Sequence, residues 1–208
     1  MEKVIFKFLA VGILFLSSSI VGFAADEKPA MAKEKAPSPE QQAMMARMQA
    51  YSTPNEHHEF LKSLAGSWKA NVKFWMDPSG QPEESMGTSE AKMILNGHFL
   101  EQNYVGTAMG KPFEGRGIYG YDNMRKEYAG IWFDNMATGI MLSAGQYDAT
   151  TKMMKDEGSM SCPITNETHR WYRSVSGIID ADHYTYETFM KDKDGKEFRS
   201  MLISYTRA

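Results

Sequence analysis

The feature that most constrains this chain is a change of period at Gly66. Just before it, Phe60, Leu61 and Leu64 form one helical stripe. Just after it, Trp68, Ala70, Val72, Phe74 and Met76 alternate with Lys69, Asn71, Lys73 and Trp75, which is the period of a strand. Strand-like runs continue to the end, near residues 84–95, 98–108, 115–122, 126–134, 138–147, 152–160, 168–179, 182–191 and 196–206. Turn pairs such as Asn96-Gly97, Asp122-Asn123 and Asp194-Gly195 separate them. Parallel pairing needs crossovers of a dozen residues or more, and the connections are too short for that. The sheet is therefore an antiparallel meander. Closure removes its exposed edges, so the predicted fold class is all-β: a closed up-and-down antiparallel barrel of about ten strands after one or two short helices. A two-sheet sandwich is the alternative. Glycines inside the strands (Gly87, Gly106, Gly117, Gly130, Gly145 and Gly158 among them) are read as the bends that closure demands.

The segment before the barrel divides in three. Residues 1–24 read as a signal peptide, with Lys3 and Lys7 ahead of an uncharged run from Phe8 to Phe23 and small residues flanking Phe23. Residues 25–52 read as a linker ending in a short Met-rich helix at 40–50, with three prolines and alternating charge in its first part. Residues 53–208 are the barrel domain. Thr53, Pro54 and Glu56 form an N-terminal capping signature for the helix that carries Phe60, Leu61 and Leu64, and Gly66 is placed to end it. These features imply an exported protein, periplasmic or secreted, with no membrane span after signal cleavage.

The chain has one cysteine, Cys162, so no intramolecular disulfide can hold the fold and buried apolar surface must. Cys162 precedes Pro163 with no basic neighbour in sequence, which gives no reason for an activated thiol. A formal charge of −3 with interspersed signs argues against nucleic-acid binding. The 17 methionines could offer thioethers to Cu(I), but Met44, Met45 and Met48 are the one tight cluster outside strands, and adaptable packing is the favoured role. His98, His169 and His183 sit on separate strands without metal-ligand spacing, while His57 and His58 are adjacent on a helix. No metal site or cofactor is assigned, although one histidine would suffice for a haem-binding barrel. No nucleophile elbow or phosphate-binding loop is present, and the chain is not read as an enzyme.

Three motifs carry a resemblance: LAGSW at 64–68, GRGIYGYDNMRKEYAGIWFD at 115–134, and DGKEF at 194–198 followed by YTR at 205–207. With them, residues 55–207 resemble a bacterial domain family of unknown function. The Gly-x-Trp of GSW is similar to the first strand of lipocalins and fatty-acid-binding proteins, so the resemblance implies a lipocalin-like barrel and no established activity. It also implies that Trp68 plugs one barrel end against a basic side chain. Arg207 is the first candidate for that partner, through a cation–π contact, and Arg199 the second. The family's Asp-Pro-x-Thr-Gly turn reads Cys162-Pro163-Ile164-Thr165-Asn166 here, without the Asp and the Gly.

Candidate ligand-binding residues follow from parity. Trp171, Val175 and Ile179 are taken to mark the buried face of strand 168–179, which turns His169 and Arg173 inward with them. An inward Arg173 either pairs with a carboxylate such as Glu187 or awaits an anionic ligand group. Arg199 and Tyr205, read on one inward face of the last strand, resemble the Arg and Tyr side chains with which fatty-acid-binding proteins hold a carboxylate. Tyr119 and Trp132 in the central motif suit either a pocket or ordinary core. The reading is non-covalent binding of a small, largely apolar or amphipathic ligand. A barrel filled by its own side chains, with a structural or envelope-stress role, is the alternative.

Overall fold

The computed structural model describes residues 36–208. The signal peptide and the first part of the linker lie outside the described residues. Two helices lead into the barrel, α1 (Pro39–Ser52) and α2 (Glu56–Ser63). Ten strands follow: β1 (Gly66–Phe74), β2 (Glu83–Ile94), β3 (Phe99–Ala108), β4 (Lys111–Asp122), β5 (Glu127–Asp134), β6 (Met141–Asp148), β7 (Met153–Cys162), β8 (Glu167–Ile178), β9 (His183–Lys191) and β10 (Glu197–Arg207). Each strand pairs antiparallel with its sequence neighbours, and β1 pairs with β10, so the sheet is a closed barrel. The meander and its closure are as the alternation predicts; no helix among the described residues is long and apolar enough to cross a membrane.

The helices differ from the sequence reading in their caps. Helix α1 runs on through Ser52, and the Thr53 hydroxyl is used there, donating to the Gln49 carbonyl at 2.7 Å. Asn55 caps α2 instead, accepting from the His57 amide at 3.1 Å, and His58 takes the place of Glu56 in the capping box. Gly66 opens β1 at φ +129°, two residues past the C-cap Leu64. Helix α1 buries none of its residues, so Met44, Met45 and Met48 are exposed. Helix α2 buries Leu61 and stacks Phe60 on Tyr147 with centroids 3.8 Å apart.

Antiparallel order sets the two ends. The start of β1, β3, β5, β7 and β9 and the finish of the even strands share one end, and α2 packs there. Trp68, only 2% exposed, sits on that floor with its indole Nε1 donating to the Leu64 carbonyl at 3.0 Å. Its strand partner is Arg207, whose guanidinium carbon lies 4.1 Å from the ring centroid. Arg199 serves elsewhere, over Trp75 on the outer face.

Candidate functional site

The barrel interior encloses a cavity of about 410 Å³. At the α2 end its wall is made by Phe60, Leu61 and Leu64. At the far end, Glu83, Met109 and Met136 line it and are exposed, which marks the mouth. Methionines recur near that mouth, where Met141, Met160, Met190 and Met201 also face the cavity. Flexible thioethers suit a rim that must adapt to what enters.

Seven of the lining residues are tyrosines. The in-strand glycines explain how so many rings fit. A Cβ on Gly117 or Gly130 would come within 2.6 Å of Tyr119, one on Gly158 within 2.8 Å of the Tyr172 hydroxyl, and one on Gly115 within 2.2 Å of Trp132. None of these glycines has a positive φ. They are bare patches of wall on which aromatic rings lie. Burial raises the phenol pKa of Tyr119, Tyr172, Tyr184, Tyr186 and Tyr205, so all are neutral hydrogen-bonding groups at physiological pH.

One carboxyl stands in this belt. Asp156 on β7 accepts from the Ser174 hydroxyl of β8 at 2.7 Å, and the Ser143 hydroxyl of β6 also bonds to it. Ser174 is completely buried. Burial of the Asp156 carboxyl raises its pKa, against the lowering effect of the two hydroxyls. Nearby, the Thr188 hydroxyl lines the cavity and has no hydrogen-bond partner among the described residues.

A family model for proteins of unknown function, DUF1579, matches residues 53–207. The chain belongs to DUF1579. The search of curated proteins found no match to this DUF1579 chain. Among solved structures it is similar to Rv2717c from M. tuberculosis, at 18% identity and TM-score 0.55 over 75% of this chain and 99% of that one. It is also similar to the S-type phycobiliprotein lyase CPES from Guillardia theta, at 11% identity and TM-score 0.52 over 78% and 96%. These likenesses establish the lipocalin-like barrel architecture of the DUF1579 chain.

The structure divides the sequence-predicted site residues. Tyr119, Trp132 and Tyr205 line the cavity. Arg173, Arg199 and His169 do not. The inward face of β8 is that of Tyr172, Ser174 and Ser176, one residue out of step with the parity taken from Trp171 and Val175. Arg173 therefore lies outside, 3.9 Å above the Phe189 ring and paired with Glu197 rather than Glu187. Glu187 instead pairs with Arg199 at 2.9 Å. A β-bulge places Ser200 as an extra residue between Arg199 and Met201, so Met201, Ile203 and Tyr205 face in while Arg199 faces out. His169 is exposed, and no histidine lines the cavity, so an imidazole-ligated haem has no ligand in it.

Cys162 also differs from its sequence reading. It is buried, and Arg170 donates to its Sγ at 3.5 Å. Burial opposes ionisation of the thiol, but hydrogen bonds from Thr165, Arg170 and Ile164 win and lower its pKa. Asn166 in the turn after Cys162 takes the left-handed conformation at φ +55°.

Sequence reasoning missed Asp156, Ser143 and Ser174. A signal existed for the first. Asp156 shares parity with Met154, Gly158 and Met160 in MMKDEGSM, a lone acid on an otherwise uncharged face.

Proposed function

We propose that this protein is an exported carrier or receptor that binds a small, largely apolar molecule non-covalently in the barrel. The observation that carries the reading is the cavity, walled by aromatic, aliphatic and methionine side chains with a few polar groups among them. That composition is the one small-molecule sites use to bury a ligand and orient it. A barrel filled by its own side chains would leave no such volume, because protein interiors pack with few voids larger than a water molecule. Export rests on the N-terminal sequence alone.

Titration with Nile red, a neutral apolar dye, tests the binding reading. One saturable, blue-shifted site is expected in the wild type, and it is weakened in Ser176→Phe, which adds a ring to the cavity wall. Absence of any saturable signal, together with a bare mass in native mass spectrometry of protein from its own host, would sink it.

A further inference from the structure

We propose that the ligand is an amphipathic organic cation, an amine or quaternary ammonium on an apolar body, with its charge held between Asp156 and the surrounding tyrosine rings. This rests on the binding reading above and has the opposite polarity to the sequence alternative in which an inward Arg173 awaits an anionic ligand group.

The first argument is the charge of the wall. Glu83, Asp134 and Asp156 line the cavity, and among the described residues no lysine, arginine or histidine does. Arg207, the cation at the barrel floor, lies beyond the Trp68 ring and donates to the carbonyls of Ala65 and Ala181 and to Asp182. Among the described residues, an anionic head would meet only its own sign of charge on the cavity wall and no counter-ion there. A cation meets carboxyls first at the mouth, where Glu83 and Asp134 stand, and then at depth.

The second argument is what surrounds Asp156. Its neighbours on β6 and β8 supply only the hydroxyls of Ser143 and Ser174. The adjacent charged side chains on β7, Lys155 and Glu157, alternate to the outer face, and Arg173 of β8 is on the outer face with Glu197. A carboxyl held in a protein wall without a cation is the half of an ion pair whose other half can come from a ligand.

The third argument is the rings. Tyr119, Tyr172 and Tyr186 line the same cavity as Asp156. Aromatic faces attract a desolvated cation, and a carboxylate set among several of them is the chemistry that recognises ammonium groups. Among the described residues, the other titratable groups lining the cavity are its tyrosines, which do not ionise below the alkaline range, and Glu83 and Asp134 at the mouth.

The experiment uses four competitors of one apolar body against Nile red on the full chain: 4-phenylbutylamine, its trimethylammonium analogue, 4-phenylbutan-1-ol and 4-phenylbutanoate. Both cations are expected to compete at least about tenfold more tightly than the alcohol and the carboxylate. Asp156→Asn should bring the trimethylammonium compound down to the affinity of the alcohol. Should that variant fail to fold, the wild type still decides. The trimethylammonium charge is fixed, so its affinity must rise with pH as Asp156 loses its proton, while that of the alcohol stays flat. Equal or tighter binding of the alcohol or carboxylate, a flat pH profile for the quaternary ion, or dye binding that no cation displaces would overturn the proposal and leave the cavity reading standing. Failure of the dye itself to bind, together with a bare mass in native mass spectrometry, would remove both.

Discussion

Arg207 covers Trp68, its direct partner across the β10–β1 seam, with the guanidinium carbon 4.1 Å from the ring centroid. One contact therefore joins the last strand to the first and closes the barrel over its own floor. Gly66 is fitted to it, since a Cβ there would lie 2.5 Å from an Arg207 Nη atom. Trp68→Ala is expected to cost about 3–5 kcal/mol, the range for losing a buried large aromatic. Arg207→Ala should cost less, about 1–3 kcal/mol, for the cation–π contact and the carbonyl bonds. Urea unfolding curves give both values. If the two variants fall in the reverse order, the ring is not the main element of the floor.

The glycines separate into tight and loose sites. A Cβ on Gly145 would lie 2.0 Å from the Lys155 carbonyl oxygen and 2.6 Å from the Asp156 Cβ, so backbone must move. At Gly177 the nearest atom is the Thr185 hydroxyl at 3.3 Å, the end of a side chain that can turn. Gly145→Ala is predicted to destabilise by more than about 2 kcal/mol and Gly177→Ala by less than about 1 kcal/mol. Thermal melts of the pair check the contrast.

The polarity of the site makes a prediction for Arg173. It is one-quarter exposed on the outer face, bound to Glu197 through Nε at 3.2 Å and a second, closer contact. Arg173→Met should leave Nile red affinity within about twofold and cost no more than about 1 kcal/mol, the usual scale of surface pairs. A large loss of affinity would mean that β8 faces the other way.

Asp156 predicts a pH dependence with a definite sign. Burial raises its native pKa above the ordinary 3.8, so the unfolded chain loses this proton first. Between the two values the native state binds the extra proton, and stability falls as pH rises from about 3.8 through the native value. Asp156→Asn removes that fall. The wild-type curve also carries opposite slopes from Asp122, Asp148 and Glu197, whose pKa values are lowered by hydrogen bonds. The difference between wild type and variant cancels them. That difference should grow in the variant's favour with pH and then level off.

What could be read from the sequence was local. Gly66 and Trp68 announce the first strand within five residues, and Arg207 lies at the end of the final alternating run, so the plug needs only the closure of a meander. The face of β8 was not legible. Its outer side carries Trp171 under Lys191, and the strand beside it carries Phe189 under Arg173, so the outside is as aromatic as the inside. Alternation gives a period and leaves the phase open when both faces are apolar. In β10 the phase itself changes at Ser200, and nothing in FRSMLISYTR marks a bulge there. These two features account for the misplaced Arg173, His169 and Arg199.

His58 gives the last prediction. It is 5% exposed between α2 and the barrel, and its Nδ1 accepts from the Asn55 amide at 3.1 Å, which requires that nitrogen to be unprotonated. Burial, then the nearby His98 and His57, lower its pKa from 6.5. The unfolded chain therefore takes up this proton first as pH falls, and stability should drop from about 6.5 down through the native value. Below that value the imidazolium can no longer close the capping box that starts α2. His58→Gln keeps an acceptor at the same helix position without a titrating group. Its urea midpoint should fall less than that of the wild type between pH 8 and pH 5, and the protection of the α2 amides, corrected for the intrinsic pH dependence of exchange, should fall on acidification in the wild type only. Equal acid sensitivity in the two proteins would place the titration elsewhere and leave His58 a packing residue.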